Sequence, residues 1–447
     1  MIYNWFYYCF AFIAAAFILS SCLNSDEVDY EYSADAQITS LTISSPKDSL
    51  RILPKVVFSI DQVSSAPIIF NKDSLPYLFE VSSVIMNIST NSASGIKLYL
   101  ANDSSYIWNT TDSVMINELK HIEIYAQDGK TKKTYTFKLN THQQDPDTIF
   151  WQTVTENYIA NPTDQVTIAN KNRFFAFYKS GGSTKLSTSD LADGSNWTSQ
   201  TLSGLPQNVI LNTIQQYEYE GIETWYALDS NYRVYHSSNG TDWQLRTTTL
   251  PTISIFGKLP SFTNDSILAI VKDGSTYKFA KTKDFSSLRL LNNVPAGFPI
   301  TDYTYTSIND TLNYTAKYLI VTGGKSFESS LNNKSVWILQ EKGNTISSTS
   351  KILNFNVTGS SLFQYDKKIY LMTPENNKNV FYTSPNYGVF WEKAGNKQSL
   401  PSNFTTRVNQ SVSVDDDNFI WIFGGESANQ TQLVDVWKGR INKLFVK

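Results

Sequence analysis

Six apolar segments recur at near-constant spacing from residue 174 onward, and they constrain the fold of this chain more than any other feature. They begin at Phe174 (FFAFY), Trp225 (WYALD), Ile267 (ILAIV), Tyr318 (YLIVTGG), Ile369 (IYLMT) and Phe419 (FIWIFGG), at intervals of 51, 42, 51, 51 and 50 residues. A second strand-like segment follows each: Lys185-Leu-Ser, Arg233-Val-Tyr-His, Tyr277-Lys-Phe-Ala, Ser335-Val-Trp-Ile, Asn379-Val-Phe-Tyr and Asp435-Val-Trp-Lys. A period near 50 built from hairpins, with no apolar spacing of three and four, is the pattern of β-propeller blades. Six repeats predict a six-bladed propeller over residues 148–447. One blade must then take strands from both ends of that stretch, and residues 148–158 (TIFWQTVTENY) suit the closing strand. A seventh blade would need extra strands within residues 202–222.

Residues 37–142 follow a different rhythm. Short alternating runs (Ile38, Leu41 and Ile43; residues 56–60; residues 84–86) give about seven strands, the size and spacing of an immunoglobulin-like sandwich. The clearest hairpin places Ile122 and Ile124 on one face of a strand and Tyr135, Phe137 and Leu139 on its partner, with Asp128-Gly129 as the turn. Gln143-Gln-Asp145-Pro146-Asp147 reads as a linker, because proline disfavours regular structure in the residue before it. The whole chain is therefore expected to be all-β.

The leading 22 residues contain no Asp, Glu, Lys or Arg, and residues 9–19 (CFAFIAAAFIL) are almost wholly apolar. The run fits the apolar core of a signal peptide, although its first residues lack the usual positive charge. Leu19-Ser20-Ser21-Cys22 resembles the bacterial lipobox, which implies cleavage and acylation at Cys22. A retained membrane-spanning helix is the alternative. Residues 23–36, acidic at Asp26, Glu27, Asp29 and Glu31, form a tether that resembles the surface-export signal of Bacteroidota lipoproteins. The reading is a lipid-anchored protein of the outer membrane, facing the cell exterior.

Composition excludes several classes. The two cysteines, Cys9 and Cys22, leave nothing after residue 22 for a disulfide or a thiolate metal site. A net charge of −3 without a basic block argues against nucleic acid as a partner, since phosphate binding needs a positive stripe. The three histidines, His121, His142 and His236, are scattered, so neither a histidine metal site nor a cofactor is expected.

Two propeller signatures occur. Ser384-Pro-Asn386-Tyr-Gly388-Val-Phe-Trp391 resembles the Asp-box, and shorter forms lie at Asn239-Gly240-Thr-Asp-Trp243 and Asp193-Gly194-Ser-Asn-Trp197. Gly323-Gly324 before Trp337, and Gly424-Gly425 before Trp437, resemble Kelch repeats. Both are structural devices and imply no reaction. Over its length the chain resembles a family of Bacteroidota surface lipoproteins, on the Cys22 anchor, residues 72–77 (KDSLPY), 125–129 (YAQDG) and 142–147 (HQQDPD), and the propeller. That resemblance implies an architecture and a location, with a domain of unknown function.

The Asp-box raises a sialidase-like activity, which would need three arginines on a sugar carboxylate. Arg173, Arg233, Arg246, Arg289, Arg407 and Arg440 lie in the propeller region, none in the expected Arg-Ile-Pro motif. A general glycoside hydrolase needs two carboxylates across a cleft. Glu218, Glu220 and Glu223 read as a solvated strand face, and Asp415, Asp416 and Asp417 as a hairpin turn or a calcium site. Tyr303, Tyr305, Tyr365 and Trp225 could be aromatic platforms for sugars if their rings are exposed. The expectation is a binding module for a glycan or a protein partner, without catalysis. A glycan-active enzyme and an accessory subunit of a nutrient-uptake complex are the alternatives.

Overall fold

The computed structural model describes residues 30–443, apart from residues 81, 262–264 and 311–315. The leader, Cys22 and most of the tether lie outside the described residues. Those residues form two compact units, one before Pro146 and one from Pro146 onward. The structure is all-β: regular elements are strands, with two short 3₁₀ turns at Leu53–Lys55 and Asn396–Gln398. No described helix is long and apolar enough to cross a membrane.

The first unit pairs a three-stranded sheet with a six-stranded one. Its core draws Ile38, Leu41, Ile43, Val84 and Met86 from the smaller sheet, and Ile69, Leu98, Ile122, Ile124, Tyr135 and Phe137 from the larger. Nine strands are described where sequence rhythm gave about seven. The extra ones are two or three residues long, at Ser105–Ile107 and Ser113–Val114, too short for alternation to register. The expected hairpin is Leu119–Ala126 against Lys132–Lys138. Its turn is held by Asp128, whose Oδ1 accepts the N–H groups of Lys130 (2.9 Å) and Thr131 (2.8 Å).

The second unit is a β-propeller domain of six antiparallel sheets among the described residues. Their innermost strands are Asp164–Asn170, Val209–Tyr219, Thr252–Leu259, Pro299–Asp310, Ser361–Tyr365 and Ser411–Val414. Each packs against the next, and the last packs against the first, so the ring closes. The 202–222 stretch holds the single long strand Val209–Tyr219 rather than a further sheet. All six repeated apolar segments are the second strand of their sheets. Ile149–Thr155 pairs with Gln432–Ile441, so the sixth sheet takes strands from both ends of the domain.

The core of this domain lies in the seams between sheets. Six separate apolar clusters fill them, for example Phe177, Leu211 and Trp225 between the first two sheets. Each sheet is thus covered on both faces, and the second strands read as unbroken apolar runs rather than alternating ones. Ser266–Asp273, buried over its first six residues, is the clearest case. Polar groups pin the inner ends of the seams. Gln215 Nε2 donates to Ile255 O (2.8 Å), Ser254 Oγ to Ile300 O (2.5 Å) and Ser361 Oγ to Gln410 O (2.6 Å). Thr304 Oγ1 accepts the Leu362 N–H (3.0 Å), and Ser411 Oγ accepts the Thr167 N–H (2.9 Å). Side chains stitch the inner ends of the ring, and among the described residues no strand ladder crosses from one sheet to the next.

Candidate functional site

The glycine- and tryptophan-bearing turns divide among the sheets. After the third strand of the fifth sheet, Ser384 Oγ accepts the Gly388 N–H (2.9 Å) and Asn386 Oδ1 accepts the Phe390 N–H (2.8 Å). Trp391 Nε1 then donates to Gly388 O (2.9 Å), which staples the turn to the sheet. The second sheet repeats this with Ser237, Asn239 and Gly240, and Trp243 Nε1 donates to Gly240 O (3.0 Å). In the first sheet Asp193 accepts the Asn196 N–H (2.9 Å) and Trp197 Nε1 donates to Gly194 O (2.9 Å). A fourth turn escaped sequence reading. Thr282 Oγ1 accepts the Phe285 N–H (2.8 Å), Asp284 Oδ1 accepts the Ser286 N–H (2.9 Å), and Phe285 takes a φ of 62° where the other turns use glycine. Burial of the whole Phe285 side chain offsets that unfavourable backbone.

The fourth and sixth sheets carry the glycine pairs instead. Gly324 and Gly425 have φ of 73° and 101°, and a Cβ on either would strike a neighbouring backbone carbonyl, Thr301 O or Val408 O. Trp437 Nε1 donates to Asp435 Oδ2 (2.7 Å), while Trp337 is buried in the seam between the third and fourth sheets.

Two of the four sugar-platform candidates are buried and two are half-buried. Trp225 is fully buried, with Nε1 on Glu223 Oε1 (2.9 Å). Tyr365 is buried, with its hydroxyl between Asn418 O and the Ile441 N–H. The Tyr303 and Tyr305 hydroxyls donate to Ile255 O (2.9 Å) and Gln215 Oε1 (2.7 Å), and burial pushes both phenols above their ordinary range. Apolar seams take up Trp225 and Tyr365, while Tyr303 and Tyr305 are half-buried against the seam between the third and fourth sheets.

The candidate acids and bases are also tied locally. Glu223 pairs with Lys171 (3.1 Å) and accepts from Asn170 and Trp225. Glu218 is exposed, and Glu220 sits in a turn at φ 51°. Asp415 accepts the Phe419 N–H (2.8 Å) and Trp421 Nε1 (2.7 Å), which makes it a hairpin brace, with Asp416 and Asp417 exposed beside it. No group of three potential metal-binding side chains occurs among the described residues. Arg233 pairs with Asp229, Arg246 with Asp284 and Arg407 with Asp435, each 2.6 Å, so these arginines do not converge. His236 is half-buried, and burial with Arg246 nearby lowers its pKa.

What the structure does bring together is a cleft of about 940 Å³ over the seam between the first and sixth sheets. The chain crosses that seam once, in residues 156–163, between the closing strand and the first inner strand. Tyr158 N–H donates to Val434 O (2.9 Å), fixing the crossing to the sixth sheet. The base of the cleft is Tyr158, Tyr178, Trp197 and Gln432. Tyr158 meets Trp197 edge-on at 5.0 Å, donates to Gln165, and has a phenol pushed upward by burial. Gln165 Nε2 in turn donates to Leu433 O (2.9 Å) and Gln432 Oε1 (3.2 Å), so a polar network underlies the aromatic floor. Asn157, Asn161, Ser195, Asn196 and Thr431 form much of the rim. No described lining residue is Asp, Glu, Lys, Arg or His. Sequence reading identified Trp197 as a turn residue, and the structure makes it a wall of this cleft too. Tyr158 and Tyr178 were missed because they sit in segments that read as a closing strand and a core strand. The asparagines around residues 157–162 were the available signal.

No curated protein matches the chain. Solved structures similar to it include YjhT, 10% identical over 63% of this chain and 96% of that one, with a TM-score of 0.45. A thermostable family-43 glycoside hydrolase is 12% identical over 56% of this chain and 94% of its own, TM-score 0.31. A DUF4623 family protein from Bacteroides eggerthii is 10% identical over 92% of this chain and 99% of its own, TM-score 0.36. Residues 31–139 match the DUF6242 N-terminal domain, a domain of unknown function, and residues 145–447 match the DUF6242 beta propeller domain. The chain belongs to the DUF6242 family.

Proposed function

We propose that this protein is a surface-anchored recognition module, held to the outer membrane by lipid on Cys22, that binds a glycan or protein partner without transforming it. The observation that carries the reading is the uncharged cleft between the first and sixth sheets, where an aromatic floor meets amide and hydroxyl groups. Glycosidic chemistry of the usual kind needs two carboxylates beside the substrate, and the described lining supplies none. A rigid ring with loops at its seams suits recognition. In this reading the six sheets are six blades. The four hydroxyl- or aspartate-braced turns serve as Asp-box turns, and the glycine pairs as Kelch-type turns. The first unit is an immunoglobulin-like spacer between tether and propeller.

The test is to probe a broad glycan array with the purified full chain and, in parallel, to cross-link it on intact cells. A reproducible glycan hit or a single cross-linked surface partner supports recognition. Silence in both sinks it. Co-purification with a porin-type barrel would shift the role to an uptake-complex subunit.

A further inference from the structure

The geometry points to an uncharged saccharide as the ligand of the cleft between the first and sixth sheets, an inference that rests on the recognition reading above. Two hydroxyls mark the place. Tyr178 and Ser187 are 5% and 6% exposed and line the cleft, yet neither hydroxyl has a protein partner among the described residues. The side chains are largely buried while their hydroxyls reach the cleft, where each is free to hydrogen-bond with a ligand hydroxyl. Trp197 supplies the apolar counterpart. Its indole N–H is committed to Gly194 O, and Phe174 stacks on it at 6.2 Å, so the ring is pinned and its remaining half-exposed surface is apolar. Pyranose rings present just this pairing of C–H faces and hydroxyls. On the rim the side-chain amides of Asn157 and Asn161, exposed and without protein partners among the described residues, can both donate and accept.

The missing charge sets the class. A uronate, sialate or sulfated sugar would enter with its anion facing no described cation in the lining, and its desolvation would go uncompensated. A neutral oligosaccharide meets no such cost. The cleft is an open groove of about 940 Å³, with room for a short chain.

The test titrates the full chain calorimetrically with neutral trisaccharides of glucose, mannose, galactose and N-acetylglucosamine, and with trigalacturonate as the anionic control. Binding of at least one neutral sugar and none of the uronate is expected. Tyr178→Phe removes only the unpartnered hydroxyl and Asn157→Ala only a rim amide. Each should weaken binding about three- to tenfold, the worth of one hydrogen bond, at unchanged melting temperature. Neutral-sugar binding that both variants leave untouched overturns the cleft assignment while recognition stands. Binding confined to the uronate overturns the ligand class. No binding to any of the sugars overturns the inference, and recognition is then decided by the glycan array and the cell-surface cross-linking.

Discussion

Arg407 and Asp435 face each other in a two-pronged ion pair, 2.6 and 2.8 Å, with the guanidinium wholly buried in the sixth sheet. The same guanidinium donates to Gly424 O (2.9 Å) and lies over the Phe404 ring (4.1 Å). The Arg407 backbone exchanges hydrogen bonds with the Asn379 side chain of the fifth sheet, both 2.8 Å. One residue therefore joins the glycine pair, the Trp437 brace on Asp435 and the seam to the neighbouring sheet. Arg407→Ala should cost about 3–5 kcal/mol, since it removes a wholly buried side chain and leaves the Gly424 carbonyl and Asp435 without their charged hydrogen bonds. Arg407→Lys should recover little, because an ammonium cannot reproduce the fork. Equilibrium unfolding of the propeller in guanidinium chloride measures both.

The turn of the second sheet hangs on Asn239, whose Oδ1 accepts the N–H groups of Thr241 and Asp242, both 3.0 Å. Asn239→Ala frees both donors and should lower stability by about 1–2 kcal/mol, the range seen when a comparable capping side chain is removed. Thermal melts of the variant beside wild type are sufficient to read it.

Glu123 gives the first unit a defined acid sensitivity. Burial alone would raise its pKa, but hydrogen bonds from Tyr125 (2.5 Å), Lys132 (2.9 Å) and Tyr99 (2.9 Å) prevail and hold the carboxyl at about 2. A folded-state pKa below the ordinary 4.5 means that ionisation favours the fold. The contribution is complete above about pH 4.5 and drains away as pH falls toward 2. Glu123→Gln should reduce the melting temperature of this unit at neutral pH and flatten its decline between pH 5 and 2.

The anchor assignment makes its own prediction. Cys22→Ala should abolish incorporation of a labelled fatty acid and release the protein from the outer-membrane fraction. Labelling that persists in the variant would remove the lipid anchor from the account.

Much of the architecture was legible because each sheet repeats one arrangement. Phe174, Trp225 and Ile267 lie in second strands that are buried on both faces, so their apolar runs stand out at a fixed period. The same burial decides the condition of exposure for two of the aromatic candidates. Trp225 and Tyr365 look like sugar platforms in sequence, but a seam covers each ring. The Thr282–Ser286 turn stayed hidden because threonine replaces serine and Phe285 occupies the glycine position. The cleft was not legible, since Tyr158, Trp197 and Gln432 come from three distant segments that meet only when the ring closes.

The central claim is recognition without turnover, and it is tested most directly by product analysis. A bound glycan is incubated with stoichiometric protein for a day, and its chain length and reducing ends are measured by chromatography. The account predicts that the glycan is recovered intact. New reducing ends that disappear with a single Glu→Gln or Asp→Asn substitution would contradict it and make the protein an enzyme.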